Sequence, residues 1–257
     1  MEANLVEVFS SIQGEGPDVG TRTLFVRFGA CDLRCAWCDS PQTWRPAERC
    51  RLERSPGSAE FEEVPNPISL ESVLEAADRL DVREHRFVSL TGGEPLLQPL
   101  AAAALAEALR ALGPRIHLET HGLHAGPLAT VLPHVDVVSM DWKLASDVRR
   151  EGTARNAARE SFHAEHEIFL RTARQAPRVV VKLVLTPASS DEEVAEACER
   201  IARVHPEACL VLQPVTPAGS VKEPPSAGRL LALERLAAGH VADVRVIPQT
   251  HPLWGAL

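Results

Sequence analysis

Cys31, Cys35 and Cys38 stand within eight residues of one another in the run GACDLRCAWCDS, a C-x3-C-x2-C spacing with no fourth cysteine nearby. Three thiolates can hold three irons of a four-iron cluster and leave the last iron without a protein ligand. That open iron can bind a small molecule and pass an electron into it, which a fully ligated cluster cannot do. A zinc knuckle completed by a distant histidine is the competing reading. Zinc sites usually pair C-x2-C units and keep four ligands, so the spacing favours the cluster. Cys50, Cys198 and Cys209 stand apart from the triplet, the latter two in apolar contexts that read as buried thiols. Free thiols beside an oxygen-sensitive cluster imply a reduced, cytoplasmic setting.

Positioning such a loop requires a rigid frame, and the chain predicts one. After an entry loop, Thr23 to Gly29 reads as a first strand running into the cysteines. Ser69 caps a helix from Leu70 to Leu80, and Phe87 to Leu90 is a short apolar strand that runs into TGGEP (Thr91 to Pro95). An Ala- and Leu-rich helix follows over Leu97 to Leu112, closed by Gly113-Pro114. Strands are predicted at Ile116 to Glu119, Val135 to Met140, Cys209 to Leu212 and Val244 to Ile247. RVVVKLVL (Arg178 to Leu185) is nearly continuous and β-branched, as a strand buried on both faces should be. Helices are predicted near Leu128 to Leu132, over Asp191 to Val204 and over Ser226 to Ala238. Strand–helix alternation means parallel βαβ units, which periodicity alone leaves open between a doubly wound sheet and a barrel. Trp44 to Pro67 reads as an inserted, partly mobile loop, and Ser146 to Ala176 as a mostly helical cover, both with solvated faces.

The recognisable motifs fall at the carboxyl ends of strands, where α/β architectures place their ligands. The cysteine loop follows the first strand, TGGEP the second, ETHG (Glu119 to Gly122) the third and SMDWKLAS the fourth, while QPVT (Gln213 to Thr216) follows the sixth. The Gly-Gly pair lacks the length and lysine of a phosphate-binding loop, but permits close backbone approach to a ligand. Arg27, within the first strand, can hold a carboxylate bidentately.

The cysteine triplet resembles the signature of the radical S-adenosylmethionine (SAM) superfamily. SIQGEGP (Ser11 to Pro17), FVR (Phe25 to Arg27), WCDS (Trp37 to Ser40), TGGEP, ETHG and the final QTH (Gln249 to His251) together resemble the 7-carboxy-7-deazaguanine synthase family. The resemblance runs from end to end and is weaker near 44–67 and 145–177. It implies one domain over 1–257, a partial, open parallel α/β barrel of about six βα units, with insertions at those two stretches. It implies a [4Fe-4S] cluster on Cys31, Cys35 and Cys38. For SAM it implies Trp37, Cys38, Asp39, Gly93, Glu94, Ser139, Asp141, Lys143, Gln213 and Pro214; Asp141 and Trp142 depart from the Ser-Pro usual before the lysine. For a carboxylated pterin it implies Ile12, Gln13, Gly14, Glu15, Arg27, Thr91, Glu119 and the terminal Leu257. Ser40, where relatives carry Thr, is implied as a Mg²⁺ ligand. His121 stands where relatives carry Asn. The implied reaction is a carbon–nitrogen lyase step of 7-deazapurine (queuosine) biosynthesis in a homodimer, with flavodoxin or ferredoxin as electron donor. An activase making a glycyl radical on a partner protein, and a structural iron–sulfur or zinc protein, are the rival readings.

Charge and hydropathy narrow the classes further. A net charge of −8, with 35 acidic against 27 basic residues, offers no basic stripe for nucleic acid. No run of about 18 apolar residues suggests a membrane span, and MEANLVEVFS lacks the basic start of a signal peptide.

Overall fold

The computed structural model describes residues 1–154 and 157–255. Its frame is a ten-stranded sheet. In chain order the strands are β1 (Leu5–Ile12), β2 (Arg22–Phe28), β3 (Arg49–Glu53), β4 (Phe61–Pro65), β5 (Phe87–Gly92), β6 (Arg115–Thr120), β7 (Val137–Asp141), β8 (Arg178–Leu185), β9 (Cys209–Pro214) and β10 (Asp243–Val246). Their spatial order is β10-β9-β8-β7-β6-β5-β2-β1-β3-β4. The seven from β2 to β10 that are neighbours in this order all pair in parallel, so every loop leaving a carboxyl end emerges on one rim. The outermost strands β10 and β4 do not pair with each other, which leaves the barrel open.

Among the described residues six helices cover the sheet: α1 (Leu70–Arg79), α2 (Pro99–Arg110), α3 (Ala125–Val131), α4 (His163–Ala173), α5 (Asp191–Val204) and α6 (Ala227–Ala238), each packed against the next. Ser69, Ser190 and Ser226 cap α1, α5 and α6, each hydroxyl accepting a hydrogen bond from a backbone N–H three residues on. The main core lies between these helices and the sheet: Leu24, Val26, Leu90, Leu118, Val138, Val181, Leu183 and Leu210 meet Val73, Leu105, Leu128, Phe169, Ala197 and Ile201. Burying each such Leu, Val or Ile contributes about 1.5–3 kcal/mol, which fixes the strand register that the rim loops inherit. No helix among the described residues is long and apolar enough to cross a membrane.

Three expectations change. The entry loop contains β1, antiparallel to β2 and buried along most of its length. The stretch 44–67 is not a mobile loop: β3 and β4 form an antiparallel hairpin, and β3 pairs with β1 through Glu7↔Arg51 and Val8↔Leu52. Cys50 and Leu52 point into the core while Arg49 and Arg51 face out, so charges on one face hid a strand alternation on the other. In 145–177 only His163–Ala173 is helical among the described residues, and Val148–Arg150 pairs antiparallel with Leu33–Cys35 inside the cysteine loop. That second stretch braces the site rather than covering a connection.

Candidate active site

The cysteine loop leaves β2 and is held on every side. Ala36 N donates to Asp147 O at 2.8 Å, Ser220 N donates to Ala36 O at 2.9 Å, and Arg34 Nη1 donates to Cys31 O at 2.8 Å. The TGGEP loop lies directly against it. Gly92 has φ +118°, and a Cβ on Gly93 would sit 2.0 Å from Ala30 O, so only glycine lets the two loops touch. Asp32 ties in a third loop: its Oδ1 lies 2.8 Å from His121 Nε2 and its Oδ2 lies 3.1 Å from His124 Nε2. Burial alone would raise the Asp32 carboxyl, but the two imidazoles hold it well below the usual carboxylate range. The histidine in ETHG thus pins the cysteine loop to the loop after β6.

Cys31, Cys35 and Cys38 are free, half-buried, and line one cavity of about 440 Å³ on the carboxyl rim. Burial pushes the Cys31 thiol up to about 12 and Cys35 up to about 11. Thiols so placed ionise only when a bound cation replaces the proton, as iron does. No other cysteine lines the cavity: Cys50 and Cys198 are buried in the core, and Cys209 is half-buried at the start of β9. The donor set therefore fits a cluster with one iron left open.

Of the residues expected around SAM, Trp37, Asp39, Gly93, Ser139, Asp141, Lys143 and Gln213 line the same cavity. Lys143 Nζ lies 2.7 Å from Asp141 Oδ2 and 4.6 Å from the centre of the Trp37 ring. Trp142, between them in sequence, turns into the core, where its Nε1 donates to His163 Nδ1 at 2.9 Å. Gln213 Oε1 is buried without a hydrogen-bond partner, an acceptor left for a ligand. Glu94 corrects the expectation. Its carboxylate is fully buried and accepts from Leu96 N (2.9 Å), Thr120 Oγ1 (2.8 Å) and His121 N (2.8 Å), so it locks the loops instead of facing the cavity. Pro214 also lies off the lining.

Ile12, Gln13, Gly14, Glu15, Arg27, Thr91 and Glu119 line the same cavity. Glu119 accepts from Gln13 Nε2 (3.0 Å), Ser89 Oγ (2.6 Å) and Thr91 Oγ1 (3.2 Å). Thr250 N donates to Gly14 O at 2.9 Å, docking the QTH segment beside Gly14. Ser40 lines the cavity, and its hydroxyl makes no capping bond to the turn that follows. Leu257 lies outside the described residues.

Sequence reasoning missed Lys182. It projects from the middle of β8 into the cavity, paired with Glu15 and 3.0 Å from Asp141 Oδ1, and so bridges the two carboxylates. Burial opposes the charges, but the two lysines hold Asp141 down at about 2, and the two carboxylates raise Lys182. A lone lysine in RVVVKLVL was the available signal, because a buried cation must be paired. His117, whose Nε2 lies 2.7 Å from Ser139 Oγ, was missed as well.

Comparison with known proteins agrees with this geometry. The Radical SAM superfamily pattern matches residues 25–201, and this is the class that the open barrel and three-cysteine loop define. A 7-carboxy-7-deazaguanine synthase of Geobacter sulfurreducens is 39% identical over 99% of this chain and 98% of its own length. One of Methanopyrus kandleri is 38% identical over 97% of this chain and 92% of its own length. The crystal structure of QueE from Escherichia coli superposes with a TM-score of 0.62 at 23% identity, over 98% of this chain and 95% of that one, and supports the fold. The chain belongs to the 7-carboxy-7-deazaguanine synthase family of radical SAM enzymes.

Proposed function

We propose that the protein converts 6-carboxy-5,6,7,8-tetrahydropterin to 7-carboxy-7-deazaguanine with loss of ammonia, as a step of queuosine and 7-deazapurine biosynthesis. One observation carries the reading: a single cavity joins the three-cysteine loop to a wall of acceptors and a guanidinium suited to a carboxylated pterin. Cys31, Cys35 and Cys38 would hold a [4Fe-4S] cluster, which with SAM would supply the one-electron chemistry for hydrogen abstraction. The protein's work is placement. Asp141 offers a carboxylate, and Ser139, Lys143 and Gln213 offer polar groups, to hold SAM beside Trp37. Backbone carbonyls of the Gly92–Gly93 turn, rather than the Glu94 side chain, are the acceptors suited to its ammonium group.

For the pterin, the Gln13–Glu15 segment and Glu119 offer the acceptors that an aminopyrimidine edge needs. Arg27 uses only Nε on Glu7, at 2.8 Å, which leaves its Nη groups for the substrate carboxylate. The uncommitted Ser40 hydroxyl suits Mg²⁺, a hard cation that readily shares ligands with a substrate. Residues 1–257 act as one catalytic domain, in a cytoplasmic homodimer reduced by a flavodoxin or ferredoxin. The test is anaerobic incubation of reconstituted protein with SAM, dithionite and the carboxypterin, followed by mass spectrometry. Carboxydeazaguanine and ammonia are expected in equal amounts and in excess over 5′-deoxyadenosine, because the conversion is redox-neutral and the abstracted hydrogen must be returned. SAM cleavage with the pterin recovered unchanged would refute the proposal.

A further inference from the structure

The β3–β4 hairpin brings a second guanidinium to the cavity. Pairing of β3 with β1 sets Arg51 opposite Glu7, and Glu7, Arg27 and Arg51 line the same cavity. Glu7 is buried and stands between the two arginines, with Oε1 2.8 Å from Arg27 Nε and Oε2 3.4 Å from Arg51 Nη1. Each guanidinium rests on an aromatic face: Arg51 lies 4.0 Å from the centre of the Phe61 ring and Arg27 lies 5.5 Å from that of Phe9. Glu63, opposite Arg51 in the hairpin, is engaged instead by Arg49 Nε at 3.1 Å. Two cations thus share one carboxylate, and this trio carries one positive charge in excess on planar, pre-oriented forks.

We propose that Arg51 and Arg27 together form a carboxylate subsite, with Glu7 as the shared counter-ion that sets their separation. The inference rests on the proposed carboxypterin reading and adds Arg51 and Glu7 to it. An anion entering between the forks takes up the N–H donors that Glu7 leaves unused. Arg51 is 44% exposed against 18% for Arg27, which puts Arg51 at the mouth and Arg27 deeper. Arg51 therefore adds a screened contribution to selection of a carboxylated over a neutral bicyclic substrate.

The test compares wild type, Arg51→Gln and Arg51→Lys as reconstituted holoenzymes with SAM, measuring equilibrium binding of the carboxypterin and of the same pterin lacking the carboxylate. Arg51→Gln is expected to weaken carboxypterin binding about tenfold, the scale of one partly screened charge-assisted contact. Arg51→Lys should recover part of that loss, and binding of the carboxylate-free pterin should not change. Unchanged carboxypterin affinity in Arg51→Gln, or an equal loss for both pterins, would overturn the subsite while leaving the proposed reaction standing. A wild-type enzyme that binds the two pterins equally would overturn the subsite and the carboxypterin reading together.

Discussion

Replacing Lys182 with Met removes the cation that bridges Glu15 and Asp141 in the cavity. The side chain is 15% exposed and touches Glu15 and Asp141, themselves 21% and 20% exposed. After the change Asp141 keeps Lys143 at 2.7 Å, but Glu15 keeps only the Gln249 amide, 2.6 Å from its Oε1. Breaking a fully buried ion pair costs about 3–5 kcal/mol because the surviving charge stays desolvated. With one carboxylate still paired and all three groups partly wet, about 2–3 kcal/mol is the expected loss. For a chain of this size that lowers Tm by roughly 4–12 °C. Thermal melts of the cluster-free protein at neutral pH measure it, with Glu15→Gln and the double variant closing a cycle. The double variant should be less destabilised than the sum of the singles by more than about 1 kcal/mol, since a neutral amide in place of the Glu15 carboxylate no longer needs a cation. Additive singles, or a Lys182→Met melt within about 1 °C of wild type, would show that the bridge carries no net energy.

Gly93→Ala should prevent the TGGEP and cysteine loops from meeting, since the added methyl would lie 2.0 Å from the backbone oxygen of Ala30; a melt matching wild type would contradict this. Ala at Cys31, Cys35 or Cys38 should abolish iron–sulfur absorbance and SAM cleavage together, whereas Ser at Cys50, Cys198 or Cys209 should spare both. Adding Mg²⁺ to metal-stripped enzyme should raise turnover in wild type and not in Ser40→Ala, with SAM cleavage retained; Mg²⁺-independent wild-type turnover would remove Ser40 from the site. Asp141 is held at about 2 against an ordinary 3.8, so its contribution, about 2 kcal/mol, is complete above the unfolded value and lost as pH falls through the folded one. Asp141→Asn should therefore flatten the fall in urea-measured stability between about pH 4 and 2, and an unchanged slope would place the acid sensitivity elsewhere.

The rim motifs were legible because their constraints are local. Thiol spacing within one loop, two glycines in one turn and a strand running into each motif are properties of neighbouring residues, and the structure gathers nearly all of them into one cavity. Glu94 shows where locality misleads. An acidic residue after Gly-Gly reads as a ligand group, yet Thr120 and His121, brought in from β6, consume its carboxylate. Nothing within TGGEP announces that, because the partners lie 26 and 27 residues away and arrive only through the pairing of parallel strands.

The same argument explains why the partners of Lys182 and the role of the second arginine were not legible. Lys182 meets Glu15 across 167 residues, and Arg51 meets Glu7 only once β3 adopts its register on β1. Shifting that register by one residue would turn Arg51 to the opposite face and drive Cys50 out of the core. The apolar face of the hairpin, Cys50, Leu52 and Val64 against the core, therefore places Arg51 beside Glu7. Packing on one face of an added hairpin thus sets the charge on a cavity wall, through a stretch whose composition reads as surface loop.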